Sequence, residues 1–187
     1  YLSLFAVEAV RHIPADADGA AAQMLRGWDG MMSADSPEAA LFAIWYYRHL
    51  RPGLARLLLP EAPHLVANMQ STGALRLLDE AHSRPVVLQS LGSAYQEAQT
   101  LLGNDPTAWA WGTLHEIRFQ HPLLHLAGDS LADSMRYPAY PRGGTGNTTN
   151  NTGFSARGML GRARASYRQG PAVADWYELA SSQGAMV

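Results

Sequence analysis

The sequence predicts an α+β protein, a helical N-terminal half followed by short strands and loops, and three observations carry that prediction. Apolar residues recur at helical spacing behind recognisable start signals up to about residue 104. Gly103-Asn104-Asp105-Pro106 then closes that region with consecutive turn formers. Beyond it the chain is rich in Gly, Pro, Asn and Thr, and its apolar residues fall in short alternating runs. No polar linker separates the halves. Residues 1–187 therefore read as a single region, mainly helical over 1–104 and strand and loop rich over 105–187.

The elements follow in order. Phe5, Val7, Val10 and Ile13 form a first helical face that ends at Pro14 and an Asp-rich turn, and Ala20 to Leu25 leads from there into Trp28. Asp35-Ser36-Pro37-Glu38 is a strong helix start, with a capping hydroxyl, a proline in the first turn and an acid near the positive helix end. Leu41, Ile44, Trp45 and His49 continue it, and Phe42 and Tyr46 widen the face. Arg51-Pro52-Gly53 is expected to interrupt this helix, and Gly73 to break the next apolar stretch, Leu65 to Leu78. Ser83-Arg84-Pro85 opens a longer helix running to Leu102. Trp109 to Gly112, with Leu114, Ile117 and Phe119, reads as short extended pieces. The loop region spans Tyr137 to Gly161; Ala163 to Gln169 reads as a strand and Asp175 to Ala180 as a short helix.

Composition narrows the chemistry. The chain is 47% hydrophobic and 16% charged, with a formal net charge of -2, so it carries no electrostatic footprint for nucleic acid or an anionic membrane. Every basic residue besides histidine is arginine, which excludes a lysine Schiff base. Cysteine is absent, which excludes thiol catalysis, thiolate zinc sites and disulfides. No apolar run reaches the roughly 20 residues that span a bilayer. The chain opens at Tyr1-Leu2-Ser3 without a start methionine, and the expectation is a piece of a longer protein.

Taken singly, the motifs are weak. His121 and His125 lie one helical turn apart with His115 and Glu116 upstream, a spacing that can hold zinc, but Pro122 stands where a metalloprotease needs its glutamate. Structural histidines are the preferred reading, and a histidine metalloenzyme on His115, His121 and His125 is the alternative. Gly143-Gly144-Thr145-Gly146-Asn147 has phosphate-loop composition without the Lys-Ser/Thr that would follow, and is read as a loop passing close to another backbone. Asn147-Thr148-Thr149 also matches a glycosylation sequon. Trp28, Phe42, Trp45, Tyr46 and Tyr47 would suit an acyl pocket, though at helical spacing such clusters are more often core. No Gly-x-Ser-x-Gly elbow is present.

Taken in order, several segments form a pattern: Leu25-Arg26-Gly27-Trp28-Asp29-Gly30, Met32 to Phe42 with Trp45, Trp109 to His115, Phe119 to Leu123, Gly143 to Thr148, and Ala165-Ser166-Tyr167-Arg168. This succession resembles the C-terminal part of the β chain in the penicillin acylase family. The resemblance implies an N-terminal-nucleophile hydrolase built as an αββα sandwich. Its precursor cuts itself into α and β chains, and the β chain's first residue attacks an amide carbonyl with its own amino group as base. An asparagine and backbone N–H groups stabilise the oxyanion. Members cleave acyl groups from β-lactams, acyl-homoserine lactones or cyclic lipopeptides. The family is bacterial, and the expected location is periplasmic or secreted.

The family's nucleophile and oxyanion asparagine precede the segment matching Trp28-Asp29, and Tyr1 is no nucleophile. The expectation is therefore that no catalytic residue lies in this chain and that it is inactive in isolation. Its partners would be the α chain, the N-terminal part of the β chain and a small acyl-amide substrate, with neither nucleic acid nor membrane. No cofactor is expected in this chain, and a structural calcium belongs elsewhere in the full enzyme. The supporting residues that the resemblance singles out are His115, His121, Asn147 and Arg168, and Trp28, Trp45 and Tyr46 are the substrate-binding candidates. Arg168-Gln169 runs directly into Gly170-Pro171, so the strand that follows the family's Ser-Tyr-Arg motif is expected to be shortened or absent, and with it any acidic partner there. A noncatalytic helical binding or scaffold module is the remaining alternative.

Overall fold

A computed structural model describes residues 1–117 and 140–148. The expectations for Phe119, His121, His125, Arg168, the strand at 163–169 and the helix at 175–180 lie outside those residues. The described part is mainly helical. Its helices are α1 (Leu4–Arg11), α2 (Ala20–Arg26), α3 (Pro37–Ile44), α4 (Arg51–Leu58), α5 (Ser71–Leu78), α6 (Arg84–Leu102) and the single turn α7 (Trp111–Leu114). Two short strands, β1 (Glu116–Ile117) and β2 (Tyr140–Pro141), pair antiparallel with Glu116 opposite Pro141 and Ile117 opposite Tyr140. No described helix is long and apolar enough to cross a membrane.

The helix starts obey the capping chemistry. Ser36 Oγ accepts from the Ala39 N–H at 3.0 Å, Pro37 sits in the first turn and Glu38 beside it, as the sequence predicts. Ser3 caps α1 in the same way, accepting from the Ala6 N–H. At the far end of α6, Gly103 adopts φ +100°, and Trp109 Nε1 donates to its carbonyl. Side chains with a Cβ rarely adopt that backbone conformation.

Two expected breaks are absent. Arg51-Pro52-Gly53 does not interrupt the helix: α3 passes through a π-helical turn, Trp45–Leu50, straight into α4. The Arg51 N–H bonds the Tyr46 carbonyl five residues back. This wider turn relieves the clash that a proline ring makes with the carbonyl four residues earlier, and Pro52 then stands in a renewed first turn, where no N–H is required. Gly53 serves packing instead: a Cβ there would lie 2.6 Å from Val86 Cγ1 on α6. Gly73 likewise lies inside α5 and does not break it. A third expectation is corrected further on, because Trp111 to Leu114 form a helical turn where extended chain was anticipated. The Trp111 and Gly112 N–H groups bond the Ser36 and Ala34 carbonyls, which tie that turn to the start of α3.

The core is centred on α3 and the π turn, whose residues from Ala39 to Tyr46 are all buried. A helix apolar all round must be surrounded, and α6, α2 and α7 surround it, with the Phe5 ring of α1 set against Phe42 and Tyr46. Ala39, Ala40 and Ala43 on one side and Ala94 and Ala98 on the other are fully buried small residues that let α3 and α6 approach closely. The Phe42 ring meets Phe5, Trp28, Trp45 and Tyr46 at centroid distances of 5.2 to 6.2 Å. One polar tie crosses this interface: Trp45 Nε1 donates to Ser90 Oγ at 2.8 Å. At its edge Glu97 of α6 pairs with Arg48 and, at 2.6 Å, with His49 of the π turn.

Candidate functional site

The π turn has a second face. Arg51 follows Tyr46 and Tyr47 by five and four residues, so the widened turn brings all three side chains together. The Arg51 guanidinium carbon lies 5.9 Å from the centroid of the Tyr46 ring and 5.3 Å from that of Tyr47. These residues form one wall of a cleft of about 450 Å³. The opposite wall is Met69, Gln70, Ser71 and Thr72 at the start of α5, with Gly146 and Asn147 closing the end.

The glycine-rich loop delivers Asn147. Gly143 lies flat against another backbone, since a Cβ there would sit 2.7 Å from the Met32 carbonyl oxygen and 2.9 Å from the Tyr1 ring. Gly144, at φ +86°, donates its N–H to Met32 O, and its own carbonyl accepts from Trp111 Nε1 at 3.0 Å. Close backbone approach is the role that the sequence predicts for these glycines. Thr145 and Thr148 then tie the turn: Thr148 Oγ1 donates to Thr145 O and accepts from the Thr145 N–H. Asn147 emerges with its own N–H donating to Thr145 Oγ1.

Asn147 links both walls. Its Nδ2 donates to the Tyr47 hydroxyl at 3.2 Å, and its Oδ1 accepts from Ser71 Oγ at 3.0 Å. The sequon nitrogen is thereby engaged within the fold. Burial pushes the Tyr46 phenol up to about 12, with the neighbouring Tyr47 adding to the rise and Arg51 opposing it. Burial raises Tyr47 as well, against the hydrogen bonds from Thr145 and Asn147 and the charge of Arg51. Both phenols stay protonated at neutral pH. Among the described residues no Asp or Glu lines the cleft, and the one charged lining residue is Arg51.

The residues singled out from sequence are dispersed relative to this cleft. Tyr46 and Asn147 line it. Trp45, fully buried, points into the α3–α6 core, and Trp28 packs on Phe42 with its Nε1 donating to Met31 O at 3.3 Å. His115 is fully buried behind the loop, stacked on Trp111 at 4.8 Å, with Nδ1 2.7 Å from the Arg142 carbonyl. His121, His125 and Arg168 lie outside the described residues, and with them the proposed histidine metal site. Among the described residues no three His, Asp or Glu side chains converge to hold a metal. Sequence reasoning passed over Ser71 and Arg51 as site residues and named Tyr47 only within an aromatic cluster read mainly as core. For Arg51 a signal was present, a cation one helical turn beyond an aromatic residue. Ser71 offered none, because its partner Asn147 is remote in sequence.

Comparison with known proteins adds the context that this geometry lacks. The sequence profile of the family described as Penicillin amidase matches residues 1–185. The chain is similar to an acyl-homoserine lactone acylase QuiP of Pseudomonas syringae pv. syringae (strain B728a), 31% identical over 153 aligned positions that cover 70% of this chain and 18% of that protein. The protein of that name from Pseudomonas syringae pv. tomato is 30% identical over 168 positions, covering 77% of this chain and 20% of the relative. The one from Pseudomonas putida is 28% identical over 131 positions, covering 59% and 16%. The chain thus spans a fifth or less of the length of the curated relatives it matches.

Proposed function

The chain belongs to the penicillin amidase family, and from that premise we propose that it is the C-terminal region of an acylase-type amide hydrolase whose nucleophile is supplied by a segment outside these residues. The observation that carries the reading is the 30–31% identity to acyl-homoserine lactone acylases over most of the chain. The substrates are linear amides: acyl-homoserine lactones first, with β-lactam and lipopeptide side chains as the wider class. Cleavage of an acyl-homoserine lactone would silence a bacterial signal.

In this reading an N-terminal nucleophile, exposed by autoproteolysis, attacks the amide carbonyl. The C–N bond breaks, the amine leaves with a proton, and water hydrolyses the acyl-enzyme to a free carboxylate. The residues described here complete the helical layer of an αββα sandwich. His115 and Asn147 act from behind the reacting centre by holding the Trp111 turn and the glycine-rich loop in place, with His121 and Arg168 in the same supporting role. The enzyme is periplasmic or secreted, its partners are the α chain and the preceding part of the β chain, and any structural calcium is held there. The chain alone does not turn over substrate.

Intact mass measurement under denaturing conditions, on protein purified from its native host, tests the reading together with an assay of acyl-homoserine lactone cleavage by mass spectrometry. Two processed chains, one beginning with a nucleophile, and release of homoserine lactone plus the free acid are expected. A single unprocessed species of about 20 kDa that releases no acid would sink it.

A further inference from the structure

We propose that the cleft between the π turn, the start of α5 and the glycine-rich loop binds a carboxylate borne on a short apolar body, with Arg51 as its anchor. The proposal stands on the residues of this chain and does not require the acylase reading.

Charge supplies the first argument. Among the described residues the arginine–carboxylate pairs are Arg11 with Glu8, Arg48 with Glu97 and Arg84 with Asp16; none involves Arg51. Arg51 Nε is buried without a hydrogen-bond acceptor among the described residues. The Arg51 charge on the cleft wall thus has no compensating group among the described residues, and an anion bound to the rest of the guanidinium would supply one. Among the described residues the cleft lining holds no acid, and its two phenols stay neutral at physiological pH, so no described lining residue neutralises Arg51.

Shape supplies the second. The two tyrosine rings lie against the guanidinium, and its edge is the part that remains for hydrogen bonding. That edge presents a planar fork of N–H donors, which matches the two oxygens of a carboxylate. A single cation suits a single negative charge, whereas a phosphate dianion calls for a second cation, and among the described lining residues there is none. Ser71, Gln70 and Asn147 provide uncharged polar contacts, while Met69 and the tyrosine rings give an apolar surface beside them. A volume of about 450 Å³ accommodates an acid of a few carbons.

The test is a titration of the 187-residue chain with sodium hexanoate, following the arginine Nε–Hε resonances by NMR, with inorganic phosphate and hexylamine titrated in parallel. The Arg51 resonance, identified by its loss in Arg51→Gln, is expected to shift saturably with hexanoate, less with phosphate and not at all with hexylamine. Arg51→Gln should weaken hexanoate binding by roughly tenfold or more, the worth of one charge-assisted contact, while leaving the far-UV circular dichroism unchanged. An Arg51 resonance that does not move at roughly 50 mM hexanoate overturns the proposal, since that lies far above a millimolar Kd. Equal hexanoate affinity in the folded Arg51→Gln chain, or tighter binding of phosphate than of hexanoate, overturns it as well. Should Arg51→Gln not fold, Arg51→Lys replaces it. That variant keeps the charge without the fork, so intermediate affinity supports a guanidinium anchor and unchanged affinity rejects it.

Discussion

Trp45 and Tyr47 stand two residues apart on one π turn, and their surroundings differ in kind. Trp45 is sealed between α3 and α6, and its one polar atom is satisfied by Ser90. Tyr47 faces a polar cleft, where its partner Asn147 comes from 100 residues away and in turn holds Ser71 from 76 away. The dry side follows from local periodicity: small and large apolar residues fall on the faces that helices bury. The polar side exists only because a wider turn, a short helix and a glycine-rich loop meet. Stability is therefore expected to reside in the first region, and ligand chemistry in the second.

Substitutions that separate the two regions should rank accordingly. The largest effect is expected for Trp45→Ala, which leaves a cavity between α3 and α6 and removes the indole N–H that Ser90 Oγ accepts, while the Ser90 hydroxyl keeps its bond to the Val87 carbonyl. A loss of about 3–5 kcal/mol in urea unfolding is anticipated, and a loss below about 1 kcal/mol would show that the α3–α6 interface is not the stabilising core.

Next comes Glu97→Gln at the rim of the same interface, which removes the carboxylate that pairs with the Arg48 guanidinium and hydrogen-bonds His49 and should cost about 1.5–3 kcal/mol at neutral pH. Partial burial works against ionisation of Glu97, but the hydrogen bonds and charges of Arg48 and His49 outweigh it and hold the carboxyl below its ordinary value of 4.5. A lowered folded-state value means that this contribution is fully present above about 4.5 and is lost as pH falls through the lower folded value. The stabilities of the native chain and Glu97→Gln should accordingly converge in acid. Curves that run parallel from pH 7 to about pH 3 would contradict the assignment.

Ser36→Ala should cost about 1 kcal/mol, the usual worth of an N-cap, visible as a shift of the urea midpoint with an unchanged slope. The smallest stability effect belongs to Asn147→Ala, about 0.5–1.5 kcal/mol for hydrogen bonds at a half-buried position. Its consequence should be local: the Tyr47 and Ser71 NMR resonances are expected to shift while those of α6 stay in place. Shifts spread evenly over α6 would erase the distinction between the two faces of the turn.

How far the sequence can be read varies with the range of the interactions. The cap at Ser36, the start of α6 at Arg84 and its stop at Gly103 depend on contacts within a few residues, and all stand where the sequence places them. Arg51-Pro52-Gly53 misled because proline and glycine break an isolated α-helix. Here a π turn absorbs the proline, and the α6 side chain Val86 takes the space beside the glycine. Trp111 to Leu114 misled for the complementary reason: their aromatic and alternating pattern suits a strand, but bonds to the Ala34 and Ser36 carbonyls curl them into a turn. Tyr46 and Asn147 were legible as residues of interest, whereas their meeting with Arg51 and Ser71 was not.

By itself the sequence determined the helical character of the N-terminal half, the helix boundaries set by caps and turn formers, the absence of thiol and lysine chemistry, and the family. These follow from composition, short-range periodicity and the order of motifs. Only the tertiary structure decided that α3 and α4 run on through a π turn as one continuous helix, that Trp45 faces inward while Tyr47 faces a cleft, and that Arg51 stands there without a carboxylate partner among the described residues. Those outcomes depend on which distant segments close against the turn, and a side chain's neighbours across 76 or 100 positions leave no trace in local spacing.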